Sequence, residues 1–400
     1  MKILFVLAHP IPSPSAAWRR VSFFAEFFKK KCNKVFISGA VNIPPFRAVA
    51  NVEKGKGIPL LKTTFTLPFW WNPLISLLNA IIHFVCLTPL FLMLRPKAVI
   101  VSVPPTEPCI GLFLTSRLAG CKFIVDYRDE SEDYLISISK NKLSRIAFQF
   151  NKSLMSALYK KSDLITTVTP NFVDSLKSRG VTNVRLIPNG ADVTVFKRYD
   201  KNIIRRKLEL GDNDFIIVYS GGIGGYYRLD VVVKAVKKLV DKSLNDVRLL
   251  IAGDGEISKI LNLARKLNIS SRIKYLGSIN DREELAKLIA TSDAGIIPYD
   301  DNPLWKNSVP AKFYEYCACG IPVIATVHND SYLEELIKKH EIGVTSPPLD
   351  EEKLANAIYW LYKNKSFREA AGKRARQLIE EKFDRNKIAE EYLNLIETTL

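Results

Sequence analysis

The chain has 400 residues, 47% of them hydrophobic, with 58 Lys/Arg against 41 Asp/Glu and a net charge of +17. One hydrophobic core rarely grows past about 250–300 residues, so this length implies two domains. Six scattered cysteines without a Cys-x-x-Cys pair, and only four histidines, argue against a disulfide framework and a structural zinc, and for a reduced, cytoplasmic chain.

The charge is uneven. Residues 1–200 hold 27 Lys/Arg against 12 Asp/Glu, and residues 201–400 hold 31 against 29. The first half therefore suits an anionic partner. No nucleic-acid-binding motif is present, which leaves an anionic membrane surface or a generic basic surface, the membrane being the expected partner.

In chain order, "ILFVLA" (3–8) reads as a strand rather than a secretory signal, followed by strands at 34–39, 98–103, 122–127, 164–169 and 184–188. Between the second and third lies Leu67–Leu94, uncharged and long enough to span a bilayer but interrupted by Pro73 and Pro89. Strands on both sides weigh against a span and favour a buried helix or one that also grazes the membrane, the three readings staying open, with the inner face of the cytoplasmic membrane as the expected location. After a charged connector near residues 192–213, a second strand series begins at 215–221, 247–253, 273–277, 294–299, 322–326 and 342–346. Strands alternating with helical patterns predict two doubly wound α/β domains, and ligands in such sheets bind at the carboxyl ends of strands.

Several residues at those ends carry chemistry. Pro310 has its φ preset for a first helical turn, so the amides of Ala311, Lys312 and Phe313 would point out unpaired, as an anion site at a helix N-terminus. Glu315 on the same helix would accept from the two hydroxyls of a ribose attached to that phosphate. The glycines of "YSGGIGG", Gly222 and Gly224 among them, fit a loop whose backbone approaches a ligand. The only Asp-x-Asp, Asp212–Asp214, reads as a turn before a strand, and no metal site is expected.

"FIIVYSGGIG", "VRLLIAGDGE", "IKYLGSINDREELAKLIATSDAGIIPY" and "PAKFYEYCACGIPVIA" occur in the order and spacing of the C-terminal domain of retaining GT-B-fold glycosyltransferases of family 4. "VSVPPTEPCIGLF", "FIVDYRDESEDY", "LITTVTPNFVDSLKSRGV" and "LIPNGADVTVF" resemble that family's acceptor domain and linker. The resemblance covers nearly the whole chain. It implies a GT-B fold of two Rossmann-like domains facing a central cleft: residues 1–192 for the acceptor, 193–380 for the nucleotide sugar, and a helix over 381–400 crossing back to the first. It implies a nucleotide-diphosphate sugar as co-substrate, a glycan or lipid-linked acceptor, retention of configuration and no metal or other cofactor.

By the same resemblance Glu315 matches the second glutamate of the family's Glu-x7-Glu motif, while Asn307 replaces the first. Gly225 and Tyr227 stand where the family places a phosphate-binding arginine and lysine, leaving Arg228 as the loop's cation. Gly253 lies in the matching "IAGDGE" loop. The small-residue loop after the first strand corresponds to Ser15, Ala16 and Ala17, with Arg19 or Arg20 behind it for the phosphates or the acceptor. Asp126, Arg128 and Asp129 would face the acceptor, Asp129 foremost. A catalytic set of Arg228, Asn307 and Asp129 follows. A non-catalytic binding subunit and a sugar-nucleotide epimerase or hydrolase are the alternatives.

Overall fold

The computed structural model describes residues 1–13, 15–31, 34–41, 57–68 and 71–400. They divide into two units, residues 1–188 with 386–400, and residues 189–385.

The first unit opens with β1 (Lys2–Pro10), α1 (Ala16–Lys31), β2 (Lys34–Ala40), β3 (Leu60–Thr64), α2 (Pro73–Leu94) and β4 (Ala98–Val103). It continues with α3 (Pro108–Leu118), β5 (Lys122–Tyr127), α4 (Ser131–Ile138), α5 (Lys142–Lys161), β6 (Leu164–Thr167), α6 (Pro170–Ser178) and β7 (Val184–Leu186). The seven strands form one parallel sheet in the order β3-β2-β1-β4-β5-β6-β7. Strands covered on both faces need continuous apolar runs, and all six residues of β4, Ala98–Val103, are buried. Ile3, Phe5 and Ile100 face α1, while Val99, Val101 and Val103 face α2, α3 and α5.

The second unit runs through α7 (Lys201–Lys207), β8 (Phe215–Ser220), α8 (Leu229–Asp241), β9 (Val247–Ala252), α9 (Ile257–Lys266), β10 (Ile273–Tyr275), α10 (Arg282–Thr291) and β11 (Ala294–Pro298). Then follow a 3-10 turn over Pro303–Asn307, α11 (Ala311–Ala318), β12 (Val323–Thr326), α12 (Tyr332–Lys339), β13 (Gly343–Ser346), α13 (Glu351–Lys363) and α14 (Lys365–Lys382). Its sheet is also parallel, in the order β10-β9-β8-β11-β12-β13.

The chain ends in α15 (Arg385–Thr399), whose Ile388, Ala389, Tyr392, Leu393 and Ile396 complete the first unit's core beside α1. The Tyr392 ring meets Phe24 and Phe28 edge-on, with centroids 5.1 and 5.6 Å away.

Among the described residues, α2 is the one helix long and apolar enough to cross a bilayer. It lies in the connection between β3 and β4 of a single sheet, and its Leu87, Leu90 and Phe91 are in the core. Of the aromatic residues before it, Phe69 and Trp70 lie outside the described residues, as do Lys54 and Lys56.

Candidate functional site

At the carboxyl edge of the second sheet, three strand-end loops interlock through their backbones. Gly221 donates to the Ala252 carbonyl, Ile223 to Asp254, Glu256 to Ile223 and Gly253 to Gly277. The loops approach so closely that a Cβ on Gly253 would lie 1.8 Å from the Gly221 oxygen, so only glycine fits there. Gly224 has φ of +101°, a conformation that strains any other residue. A Cβ on Gly222 would meet nothing within 4 Å, so its smallness leaves the loop's outer side open.

α11 begins beside this edge, one residue later than its sequence suggests. Pro310 is extended, with φ −75° and ψ 152°, and occupies the cap position. The Phe313 amide donates to the Pro310 carbonyl at 3.0 Å, so it is committed within the chain. Ala311 and Lys312 are left as the residues whose amides precede the helical ladder.

The decisive group is the Lys312 side chain. Residue Lys312 is 6% exposed, and its ammonium has no hydrogen-bond partner among the described residues. It lies 3.9 Å from the Tyr219 ring centroid and 3.6 Å from that of Tyr227, and 3.3 Å from where a Cβ on Gly221 would stand. Burial holds the amine well below its usual range, against the opposing pull of Glu315. A buried cation resting on two aromatic faces beside a glycine loop is arranged to receive an anion. Tyr227, which replaces a loop cation, thus supports a cation arriving from α11.

Arg228 is placed differently from expectation. Its guanidinium makes two hydrogen bonds to Asp230, at 2.8 and 2.7 Å, and its backbone amide donates to Pro298. That hydrogen bonding to Asp230 also raises its pKa. Asn307 closes the 3-10 turn ahead of α11. Glu315 is buried and accepts from Arg282 at 2.7 Å, while the Arg282 guanidinium lies 4.5 Å over the Phe196 ring. Asp214 sits at the opposite, amino end of β8, where it accepts from Gly211 and pairs with Arg248 at 3.2 Å.

In the first unit the sequence-predicted residues separate into two groups. Arg20 and Asp126 are bound to each other, at 2.9 Å and only 4% and 2% exposed. Arg20 also donates to the carbonyls of Ile187 and Pro188, and Asp126 accepts from Thr166. This corrects their reading as phosphate and acceptor ligands: the pair fastens α1 to the sheet. Ser15 is likewise structural, capping α1 by accepting from the Trp18 amide at 3.2 Å, with Ala16 exposed as the first helical residue.

Arg128 and Asp129 remain at the sheet's carboxyl edge. Arg128 donates to Ser102 and to the Pro104 carbonyl, and burial lowers its pKa to about 10. Asp129 accepts from the Glu130 amide at 2.9 Å, and burial raises its carboxyl to about 6. Two further groups join them. Burial and the nearby Arg128 charge lower His9 to about 4; its backbone hydrogen-bond partner is also Pro104. Glu107, just before α3, accepts from Ser76, while its other carboxylate oxygen is buried with no side-chain partner among the described residues. Burial raises it to about 7. Titratable groups perturbed together at one sheet edge mark a candidate functional surface.

Glu107 also supplies a pH signature. Its folded carboxyl favours the proton, so the associated stability is fully present below pH 4.5 and is lost as pH rises through about 7. A shift of that size corresponds to ~3 kcal/mol. Glu107→Gln, neutral at every pH, is expected to melt like the natural protein near pH 4.5 and more stably above pH 7. Denaturant melts at both ends of this range test it, and a pH-independent difference would contradict it.

Residues 200–378 match the family described as Glycosyl transferases group 1. The N-acetyl-alpha-D-glucosaminyl L-malate synthase of Bacillus anthracis is 26% identical over 235 residues, covering 58% of each chain. The chain thus spans little more than half the length of that relative. Among solved structures, a sucrose-phosphate synthase from Thermosynechococcus elongatus superposes with a TM-score of 0.77 at 16% identity, over 99% of this chain and 98% of that one. HepE from Anabaena, in complex with UDP and glucose, gives 0.75 at 15% identity over 100% of both chains. Such low identities establish the fold, GT-B. Residues 200–378 thus resemble the glycosyl transferases group 1 family.

Proposed function

We propose that the protein is a glycosyltransferase that moves a sugar from a nucleotide-diphosphate donor to a glycan or lipid-linked acceptor, with retention and without a metal. The carrying observation is the buried Lys312 amine at the N-terminus of α11, without a hydrogen-bond partner among the described residues and beside the Gly221 loop. A diphosphate there would satisfy the cation and meet the amides of Ala311 and Lys312, and the same groups would stabilise the departing nucleoside diphosphate. HepE, a structural neighbour solved with UDP and glucose, supports a nucleotide-sugar partner. Glu315 serves the ribose, with Arg282 fixing its orientation. Arg128, Asp129, His9 and Glu107 offer the acceptor surface. The proposal includes cytoplasmic placement on an anionic membrane surface, supported by the basic first half.

The test is a thermal-shift screen with nucleoside diphosphates, followed by transfer from the matching nucleotide sugars to glycan and lipid-linked primers, with and without EDTA. Stabilisation by one diphosphate and EDTA-resistant transfer are expected. EDTA-sensitive transfer that Mg²⁺ restores would contradict the metal-free mechanism, and donor turnover without transfer to any primer would favour a hydrolase or epimerase.

Glu315→Ala is expected to weaken the selected diphosphate by about 1.5–3 kcal/mol, the worth of a charge-assisted hydrogen bond. Isothermal titration reads this directly, and unchanged affinity would remove the ribose assignment.

A further inference from the structure

The helices on one face of the first sheet carry apolar residues on their outer as well as their inner sides. In α2 the inner stripe comprises His83, Leu87, Leu90 and Phe91, while Leu74, Leu78, Ile81 and Val85 lie exposed on the opposite side. These recur at helical spacing, so they form one continuous stripe. α2 has 22 residues and no charged side chain, giving an uncharged cylinder about 33 Å long.

α3 and α5 extend this surface. α3 packs on α2 so tightly that a Cβ on Gly111 would lie 2.8 Å from the Phe84 ring, and Thr88 and Thr115 bond across the contact at 3.1 Å. On its outer side Leu118 is 88% exposed, with Leu114 one turn before it. α5 buries Phe148, Met155 and Leu158, yet exposes Leu143 at 81% together with Ile146 and Phe150. All three helices pack by their inner sides on one core, so their outer stripes turn away from the sheet together.

The surroundings of this face are cationic. Lys140, Lys142, Arg145 and Lys160 are exposed beside the α5 stripe, and no carboxylate occurs between Asp133 and Asp163. None occurs between Glu53 and Glu107 either. Exposed Trp71 stands ahead of α2, and exposed Arg95 and Lys97 stand after it. Tryptophan and cationic side chains favour the two sides of a headgroup layer.

We propose that the outer face of α2, α3 and α5 is a docking surface for the anionic leaflet of a lipid bilayer, with the helices lying in the interface rather than crossing it. The aliphatic stripes enter the acyl boundary and the cations meet lipid phosphates. A second copy is a poorer occupant, because pairing this face with itself would oppose its own cations. The proposal deepens the membrane-surface reading above and rests on it for its role in catalysis.

The experiment is co-sedimentation of the full chain with mixed phosphatidylglycerol–phosphatidylcholine vesicles and with phosphatidylcholine alone, with nucleoside-diphosphate thermal shift measured in parallel. The natural protein is expected to pellet with the anionic vesicles and less with the neutral ones. Leu74→Glu/Leu78→Glu and Leu143→Glu/Phe150→Glu place charges at exposed sites and should each lower partitioning about tenfold or more with an unchanged diphosphate shift. Lys142→Glu/Arg145→Glu, which leaves the apolar stripes intact, should abolish the preference for anionic lipid. Failure of the natural protein to pellet, or equal pelleting of all variants, overturns the proposal. So does a dimer on size exclusion that the α2 or α5 variants dissociate. Vesicle binding without any diphosphate shift would instead count against the donor-site reading and leave the docking surface standing.

Discussion

Lys312→Met is expected to lower kcat about 100- to 1000-fold, the usual loss when one preorganised group for developing charge is removed. The same substitution should raise the melting temperature. The amine is buried with no hydrogen-bond partner among the described residues, so a methionine of similar length replaces an unsatisfied polar group with apolar contacts against Tyr219 and Tyr227. Loss of turnover with gain of stability separates a functional cation from a structural one, since a structural role would forfeit both. The proton inventory gives a second readout. Because burial lowers the amine's pKa, an arriving diphosphate should drive proton uptake, so the binding enthalpy should depend on the ionisation enthalpy of the buffer. Natural kcat and melting temperature in Lys312→Met would remove this residue from the site and return attention to Arg228.

For Arg20→Ala the effect should fall on folding. The substitution leaves Asp126, 2% exposed, without its partner and the carbonyls of Ile187 and Pro188 without their guanidinium donors. Breaking a buried ion pair on one side typically costs about 3–5 kcal/mol, a large share of a domain's stability. Urea denaturation should show this loss, and Arg20→Leu/Asp126→Leu should recover part of it by removing both charges. If Arg20→Ala unfolded like the natural protein and lost only donor affinity, the phosphate-binding reading would be reinstated.

Every strand that carries a continuous buried run was readable from its own residues, because a doubly wound sheet demands the same local pattern each time. "LLKTT" escaped, since β3 is an edge strand in which only Thr64 is buried. The site was legible in part. A proline, a helical pattern and Glu315 located the start of α11 to within one residue. That the Lys312 side chain, and not only its amide, belongs to the site depends on Tyr219 and Tyr227, which lie far earlier in the chain. Arg20 and Asp126 stand 106 positions apart, and no local pattern announces such a pair. His9 and Glu107 were missed for a related reason: they reach the same sheet edge only because β1 and β4 are sheet neighbours.

The placement of α15 in the first unit bears on the order in which the protein matures at the ribosome. Domains generally fold in the order of their synthesis, N-terminal first. Here the second unit is contiguous, residues 189–385, whereas the first needs residues 386–400, made after that whole unit, to cover Phe24 and Phe28. The later unit is therefore the first whose core can be finished. The earlier one waits through synthesis of the whole second unit with an open aromatic groove beside α1, until the segment that fills it emerges.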